Sequence, residues 1–448
     1  MTTSSLALPG TPLHPTSRWH DQLFVGLIVA LLWSAIFAAI GYGILAIQSE
    51  ESTLLAWKDA MLRPTVAWAA LGALLMTIRT FLWVRYRPHA PATMENAPRL
   101  TIVIPAYNEG ALVEKTIDSC VAAAYPRDRL QIIAIDDGSR DDTWRYIAQA
   151  AGRHPELVTA IRLRENRGKR GALAEGFRRA TGEVIVTIDS DSIIEPQTLL
   201  AITGPFENPR VGAVAGKVLV LNRLQGIVPR MLHVRFIIAF DFLRSVQSTY
   251  GMVACCPGAL SAYRAEVVRK LMPAWLNQKF LGVTCTIGED RALTNDVLAM
   301  GYDAVYQRSA IVHTEVPVTY GKLCRMMIRW DRSYIREEIR LFKHVWQRPL
   351  GARLLTLFEQ TVNNLRFPIA YSAMGLMVLL VIDDPAALLR LLLTIGIGGT
   401  IYTLYYLRTE RSRDFIYGVL YVYYSFFALT WIFPYALATL RNRRWMTR

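Results

Sequence analysis

The side chains best suited to polar chemistry fall in short runs, and the first to stand out is Asp189-Ser190-Asp191, directly after the β-branched stretch Val184-Ile185-Val186-Thr187-Ile188. In extended backbone, residues two apart point to the same side, so both carboxylates would face one way. They would stand at the carboxyl end of a buried parallel strand, where open α/β sheets bind ligands. Two hard oxygen donors there suit a divalent cation, Mg2+ or Mn2+, carrying a diphosphate. A simpler role is also open, in which Asp191 and Ser192 cap a helix over 195–200. Three more polar runs are Pro105-Ala106-Tyr107-Asn108-Glu109, Asp136-Asp137-Gly138-Ser139 and Asn166-Arg167-Gly168-Lys169-Arg170. Taken singly, each is ordinary turn chemistry. A later pair, Glu289-Asp290, precedes Arg291. The charge of Glu289 would raise the proton affinity of Asp290, and Arg291 would oppose it. The alternative is an exposed acidic turn ahead of a helix over 293–300.

The elements that must position these runs are legible from hydrophobic patterning. Strands are expected over 100–104, 130–135, 158–163 and 184–188, with helices over 111–124 and 142–151. Strands alternating with helices imply crossovers and a mostly parallel sheet. Each polar run then follows a strand, which gathers acids, an amide and cations along one carboxyl edge. That conjunction indicates a nucleotide site.

At 448 residues, 52% hydrophobic, the chain exceeds one ordinary soluble domain and is too apolar to be entirely soluble. Residues 1–20 read as disordered. Spans are expected over 23–47, 66–84, 365–382 and 386–407, with a broken or re-entrant segment over 415–440. Arg79, inside the second span, is near enough to its end to snorkel, or else faces a polar pathway. The net charge of +14 comes with basic residues beside these spans, which points to anionic headgroups and the positive-inside rule, and away from nucleic acid. The catalytic domain is therefore expected in the cytoplasm of a multi-pass protein of the cell (inner or plasma) membrane. Residues 318–350 alternate apolar and basic side chains at helical spacing, as does 230–243, and both read as amphipathic interfacial helices. The domain order expected is two spans (21–87), an α/β domain (98–317), an interfacial region (318–350) and a membrane region (360–448). The five cysteines lack metal-ligand or disulfide spacing, so free thiols are expected.

These motifs resemble those of the family 2 glycosyltransferases, over roughly residues 100–340, and that resemblance implies a GT-A-type nucleotide-sugar-binding α/β domain set between transmembrane helices. It places Pro105, Tyr107, Glu109, Asp137 and Lys169 around the uridine and diphosphate, and makes Asp189 and Asp191 the metal-binding DxD pair. Asn277-Gln-Lys-Phe-Leu-Gly282, Ile287-Gly-Glu-Asp-Arg291 and Arg329-Trp-Asp-Arg-Ser333 look like stretches of hyaluronan synthases. By that likeness Asp290, with Glu289 beside it, is the general base. Arg329 pairs with the diphosphate, while Trp330, Gly258 and Arg291 meet the acceptor. The implied activity is processive, inverting transfer from UDP-sugars, UDP-GlcNAc and UDP-GlcA, to a growing polysaccharide that is secreted across the lipid bilayer. Met326 departs from the family's QxxRW pattern, where glutamine stands. Synthesis of a different β-linked glycan, or transfer to a lipid carrier, therefore stays open.

Overall fold

The structure is a computed structural model that describes the backbone of residues 18–47 and 53–442, with side chains over 19–37 and 68–442. Two helices, α1 (Arg18–Ile47) and α2 (Thr53–Arg85), pack against each other, with Trp33 Nε1 donating to Thr77 Oγ1 at 3.3 Å. The α/β domain follows in the order β1 (Leu100–Ala106), α3 (Leu112–Val121), β2 (Leu130–Asp136), α4 (Thr143–Arg153), β3 (Val158–Arg162), α5 (Gly168–Arg179), β4 (Val184–Thr187), β5 (Ser192–Ile194) and α6 (Thr198–Thr203). Next come β6 (Val211–Val220), α7 (Ile227–Phe236), α8 (Leu243–Ser248), β7 (Ser261–Arg264), α9 (Ala265–Leu276), a small hairpin β8 (Lys279–Phe280) and β9 (Val283–Thr284), α10 (Glu289–Ala299) and β10 (Asp303–Thr314). The remainder is helical: α11 (Tyr320–His344), α12 (Leu350–Asp383), α13 (Ala386–Glu410), α14 (Phe415–Tyr424) and α15 (Ile432–Ala438).

The main sheet has eight strands in the order β3-β2-β1-β4-β7-β6-β10-β5. β1 is parallel to β2 and β4, and β2 to β3. β7 runs antiparallel to both β4 and β6, and β5 antiparallel to β10. Since β10 is parallel to β6, six of the eight strands run the same way, as expected of a mostly parallel sheet; β5 and β7 are reversed, β7 entering from the turn after α8 against the direction of its neighbours. Alternation along β1 sends Ile102 and Ile104 to one core and Val103 to another, so both faces are covered. The strand order reverses between β1 and β4, which opens a crevice at their carboxyl ends.

Several expectations need correction. Helix α1 begins at Arg18, inside the stretch read as disordered; residues 1–17 lie outside the described residues. Asp189 and Asp191 do not extend the strand: β4 ends at Thr187, and a turn closed by Ser192 N–H on the Asp189 carbonyl (3.1 Å) carries them. Nor do Asp191 and Ser192 cap a helix, since β5 intervenes before α6. Arg79 does not snorkel. It is buried, donating to Glu359 Oε1 at 2.6 Å and to Asn363 Oδ1 at 3.3 Å on α12, because a guanidinium held among helices needs a counter-charge.

Residues 227–248 form one continuous helical stretch, α7 and α8 joined by π-helical turns over Ile237–Phe242, with Met231, Val234 and Ile238 buried inside the protein. Its apolar face therefore serves a protein core in place of the lipid interface expected for 230–243. Helix α11 divides its apolar residues: Leu323, Met327 and Ile335 are buried against the protein, whereas Ile339 and Phe342 are exposed. Its Arg332 and Arg336, expected among the basic side chains that meet anionic headgroups, are buried inside the protein.

Helices Trp19–Phe37, Leu350–Asp383 and Ala386–Glu410 are long and apolar enough to cross a membrane. The expected second span lies in α2, of which only 68–85 have described side chains. Residues 415–438 form a pair of segments bent by 46°. The bend falls after π-helical turns at Ser425–Leu429, ahead of Pro434, which sits in the first turn of α15 where a missing N–H costs little. The tail over 443–448 lies outside the described residues. All five cysteines are buried free thiols.

Candidate active site

One cavity of about 1840 Å³ opens at the β1/β4 crevice, and every residue singled out from the motifs lines it: Pro105, Tyr107, Glu109, Asp137, Lys169, Asp189, Asp191, Gly258, Glu289, Asp290, Arg291, Arg329 and Trp330. It continues past Trp330 between helices, along Asn363, Arg366, Phe367 and Met374 of α12, Gly398 and Tyr402 of α13, and Tyr421 of α14.

The first three strand-end loops are fastened to one another. Ser139 Oγ accepts from Asn108 N–H at 3.0 Å, and Asn108 Oδ1 accepts from Arg140 N–H at 2.9 Å. Thr143 Oγ1 takes the amides of Glu109 and Gly110 (2.8 and 2.9 Å). Asp137 Oδ1 accepts from Arg167 N–H at 2.8 Å. Burial pushes the Asp137 carboxyl up to about 6, although the Arg167 and Gly168 amides pull the other way.

Lys169, on the first turn of α5, joins the two acidic centres. Its ammonium is ion-paired with Asp189 and lies 3.1 Å from Glu289 Oε1. Burial works against its charge, but the carboxylates of Asp189, Glu289 and Asp290 more than compensate and raise its proton affinity. Burial would raise Glu289 likewise, yet the ammonium of Lys169 holds it below the usual carboxylate range. Asp290 is raised, by burial first and then by the charge of Glu289, with Lys169 and Arg291 opposing. This is the contest expected from the order Glu-Asp-Arg, with desolvation as the larger cause.

Both acids occupy the first turn of α10, and so the exposed-turn alternative does not describe them: Glu289 is 5% exposed. Gly288 precedes them with φ +73°, a left-handed conformation that puts a Cβ into the space of Ser333 Oγ on α11. Trp275 Nε1 donates to the Glu289 carbonyl (2.9 Å), and Arg336 donates to the Ile287 carbonyl (2.5 Å). Asp290 itself accepts from Arg291 N–H at 2.7 Å and from Gly258 N–H at 3.3 Å. The loop 255–258 thus aims the carboxylate, and Gly258 leaves room for Lys169 Nζ, which a Cβ there would meet at 2.5 Å.

Trp330 projects from α11 beside Phe236 (ring centroids 5.9 Å) and Phe240 (6.3 Å), with the Arg235 guanidinium 5.8 Å from its ring. Met326, at the glutamine position of the motif, packs partly buried against the apolar core. The α10–α11 packing lets one helix both support the Asp290 loop and present Trp330 to the cavity. Sequence reasoning passed over Asp331, Tyr334 and Glu338, which face the cavity from α11; their i, i+3, i+7 spacing from Asp331 was the available signal. It also passed over Arg235, Arg244 and Glu359, for which only the folded chain supplies a reason.

As to a metal, the described residues contain no cluster of three or more His, Cys, Asp or Glu side chains that would hold an ion alone. Asp189 and Asp191 offer two hard carboxylate donors on the cavity wall, and Thr314 Oγ1 steadies Asp191 Oδ1 at 3.2 Å. Such a pair fits Mg2+ or Mn2+, which keep most of their sites for phosphate oxygens and water.

Residues 98–333 match the family described as glycosyltransferase like family 2. A hyaluronan synthase of Streptococcus pyogenes is 32% identical over 364 residues, covering 78% of this chain and 83% of that one. An N-acetylglucosaminyltransferase of Azorhizobium caulinodans is 28% identical over 363 residues, covering 78% and 87%. Among solved structures, the mannosyltransferase of Pyrobaculum calidifontis in complex with GDP-Man and Mn2+ superposes with a TM-score of 0.57 at 23% identity, over 80% of this chain and 98% of that one, and shares the GT-A fold. With a GT-A sheet and this match across more than half its length, the chain belongs to the family 2 glycosyltransferases, and it carries helices long and apolar enough to cross a membrane on either side of that domain.

Proposed function

We propose that the protein polymerises a β-linked glycan from UDP-sugars on the cytoplasmic side of the cell membrane and passes the product across it. The observation that carries this reading is the continuity of the cavity from the Asp189/Asp191 turn, past Asp290 and Trp330, to α12, α13 and α14. A transferase that releases its product into solution needs no such passage, whereas a string of hydroxyls crosses hydrocarbon only along a lined path.

In this reading the loops at Tyr107, Glu109 and Asp137 hold the nucleotide, and Lys169 and Arg329 meet the diphosphate. Asp189 and Asp191 would hold Mg2+ or Mn2+, which when bound supplies charge to stabilise the departing diphosphate. Trp330, Gly258 and Arg291 position the acceptor sugar. Asp290 takes the proton from the acceptor hydroxyl as that oxygen attacks the anomeric carbon from the side opposite the diphosphate, so configuration inverts in one displacement. Its raised proton affinity suits this task. Glu289 positions Lys169 through their 3.1 Å contact.

The test is to supply inverted membrane vesicles with Mg2+ or Mn2+ and labelled UDP-sugars, singly and in pairs, and to size the product. Long polymer that requires both UDP-GlcNAc and UDP-GlcA would establish a hyaluronan-type synthase. Polymer or oligomer from UDP-GlcNAc alone is the second reading, favoured by the N-acetylglucosaminyltransferase relative and by Met326 in place of the motif glutamine. Transfer only to a lipid would refute polymerisation.

A further inference from the structure

Asp331 follows Trp330 on α11 and lines the same cavity, yet among the described residues it has no hydrogen-bond or ion-pair partner. Burial pushes its carboxyl up to about 6, while Arg235, Arg366 and Arg291 draw it down from a distance. Each of those guanidiniums is engaged elsewhere. Arg235 donates to the Tyr421 hydroxyl at 2.6 Å, Arg291 lies 3.8 Å from Glu338, and Arg366 stacks 4.6 Å from the Phe367 ring centroid. A carboxylate and a set of guanidiniums therefore face one space without closing it, with the Trp330 ring at its edge.

A pyranose has the complementary chemistry. Its hydroxyls donate to a carboxylate and accept from guanidiniums, and its C–H face rests on an aromatic ring. Neither an apolar lipid tail nor a bare cation matches acceptors and donors together. We propose that Asp331, with Arg235 and Arg366, forms a subsite for a pyranose unit of the nascent glycan, beside the unit resting on Trp330. This rests on the polymerase reading above and adds residues that neither the motifs nor the family likeness assigned. Its effect would be to retain the chain between transfers, so that length, more than donor turnover, depends on it.

The experiment compares the full chain with Asp331→Ala and Asp331→Asn in lipid nanodiscs, given Mg2+ and UDP-GlcNAc, with and without UDP-GlcA. Product length, UDP release and melting temperature are read together. Loss of hydrogen bonds to a charged group should speed glycan release about tenfold or more, so Asp331→Ala should shorten the product by a much larger factor than it lowers UDP release. Asp331→Asn, which keeps one acceptor and adds a donor, should fall between. Product of wild-type length from Asp331→Ala would overturn the subsite and leave the polymerase reading standing. Equal loss of length, UDP release and thermal stability would overturn it in favour of a structural role. Absence of polymer from the unsubstituted protein under every donor combination would overturn the polymerase reading and this inference with it.

Discussion

Replacing Asp290 by Asn tests the chemistry most directly. The side chain keeps its shape, so the cavity stays filled, but it loses the charge that accepts Arg291 N–H at 2.7 Å and Gly258 N–H at 3.3 Å. A positioned general base contributes roughly 10²–10⁴-fold, or about 3–5 kcal/mol at 1.36 kcal/mol per tenfold. Sugar incorporation should fall by that factor, while donor nucleotide still binds, because Asp137, Lys169 and the Asp189 turn are untouched. The assay is incorporation of labelled sugar beside nucleotide binding by calorimetry on the same preparation. The pH dependence sharpens it. Burial and the neighbouring Glu289 charge raise Asp290, and only its deprotonated form works as a base. Activity should therefore fade as pH drops at a higher pH than an ordinary carboxylate would dictate. Glu289→Gln removes one of the causes, so its acid limb should move to lower pH. Incorporation within about threefold of wild type in Asp290→Asn, well short of the general-base range, would refute the assignment of the base.

Further outcomes follow from the same geometry. Asp191→Ala should abolish the metal dependence of nucleotide binding; affinity that responds equally to Mg2+ before and after the change would contradict the DxD role. With Asp137 pushed up to about 6, donor affinity should weaken as pH falls through that value, and Asp137→Asn should flatten the profile in a binding titration. Gly288→Ala forces a Cβ into a φ of +73° against Ser333, and should cost about 1–3 kcal/mol of stability together with activity, read from melting temperature and turnover. Glu359→Gln leaves Arg79 buried without its counter-ion, which typically costs about 3–5 kcal/mol; thermal unfolding in detergent measures it, with Arg79→Gln/Glu359→Gln as the partial rescue.

Much of the strand-end edge that lines the cavity was legible in the chain itself. A parallel strand ends where its backbone amides and carbonyls leave the ladder, so polar runs after Ile104, Ile135 and Ile188 mark one edge wherever the helices between them pack. The pairing of Glu289 with Asp290 also carried its own electrostatics, since adjacent charges act at any fold. Membrane-length apolar runs needed only their length.

What lay beyond the sequence depends on contacts between distant segments. Local patterning cannot show the direction of β7 beside β4, which follows from the path of α7 and α8 and makes the sheet mixed. It cannot show that Lys169 joins Asp189 to Glu289, a contact across 120 positions of chain, or that Arg79 meets Glu359. Nor can it tell a lipid-facing from a protein-facing apolar stripe, because both have the same period; burial of Met231 and Ile238 assigns 227–248 to the protein. Residue types and their spacing were enough to name the groups suited to the chemistry. Which of them share a cavity is a matter of folding, because desolvation and charge pairing exist only once the surrounding helices exclude water.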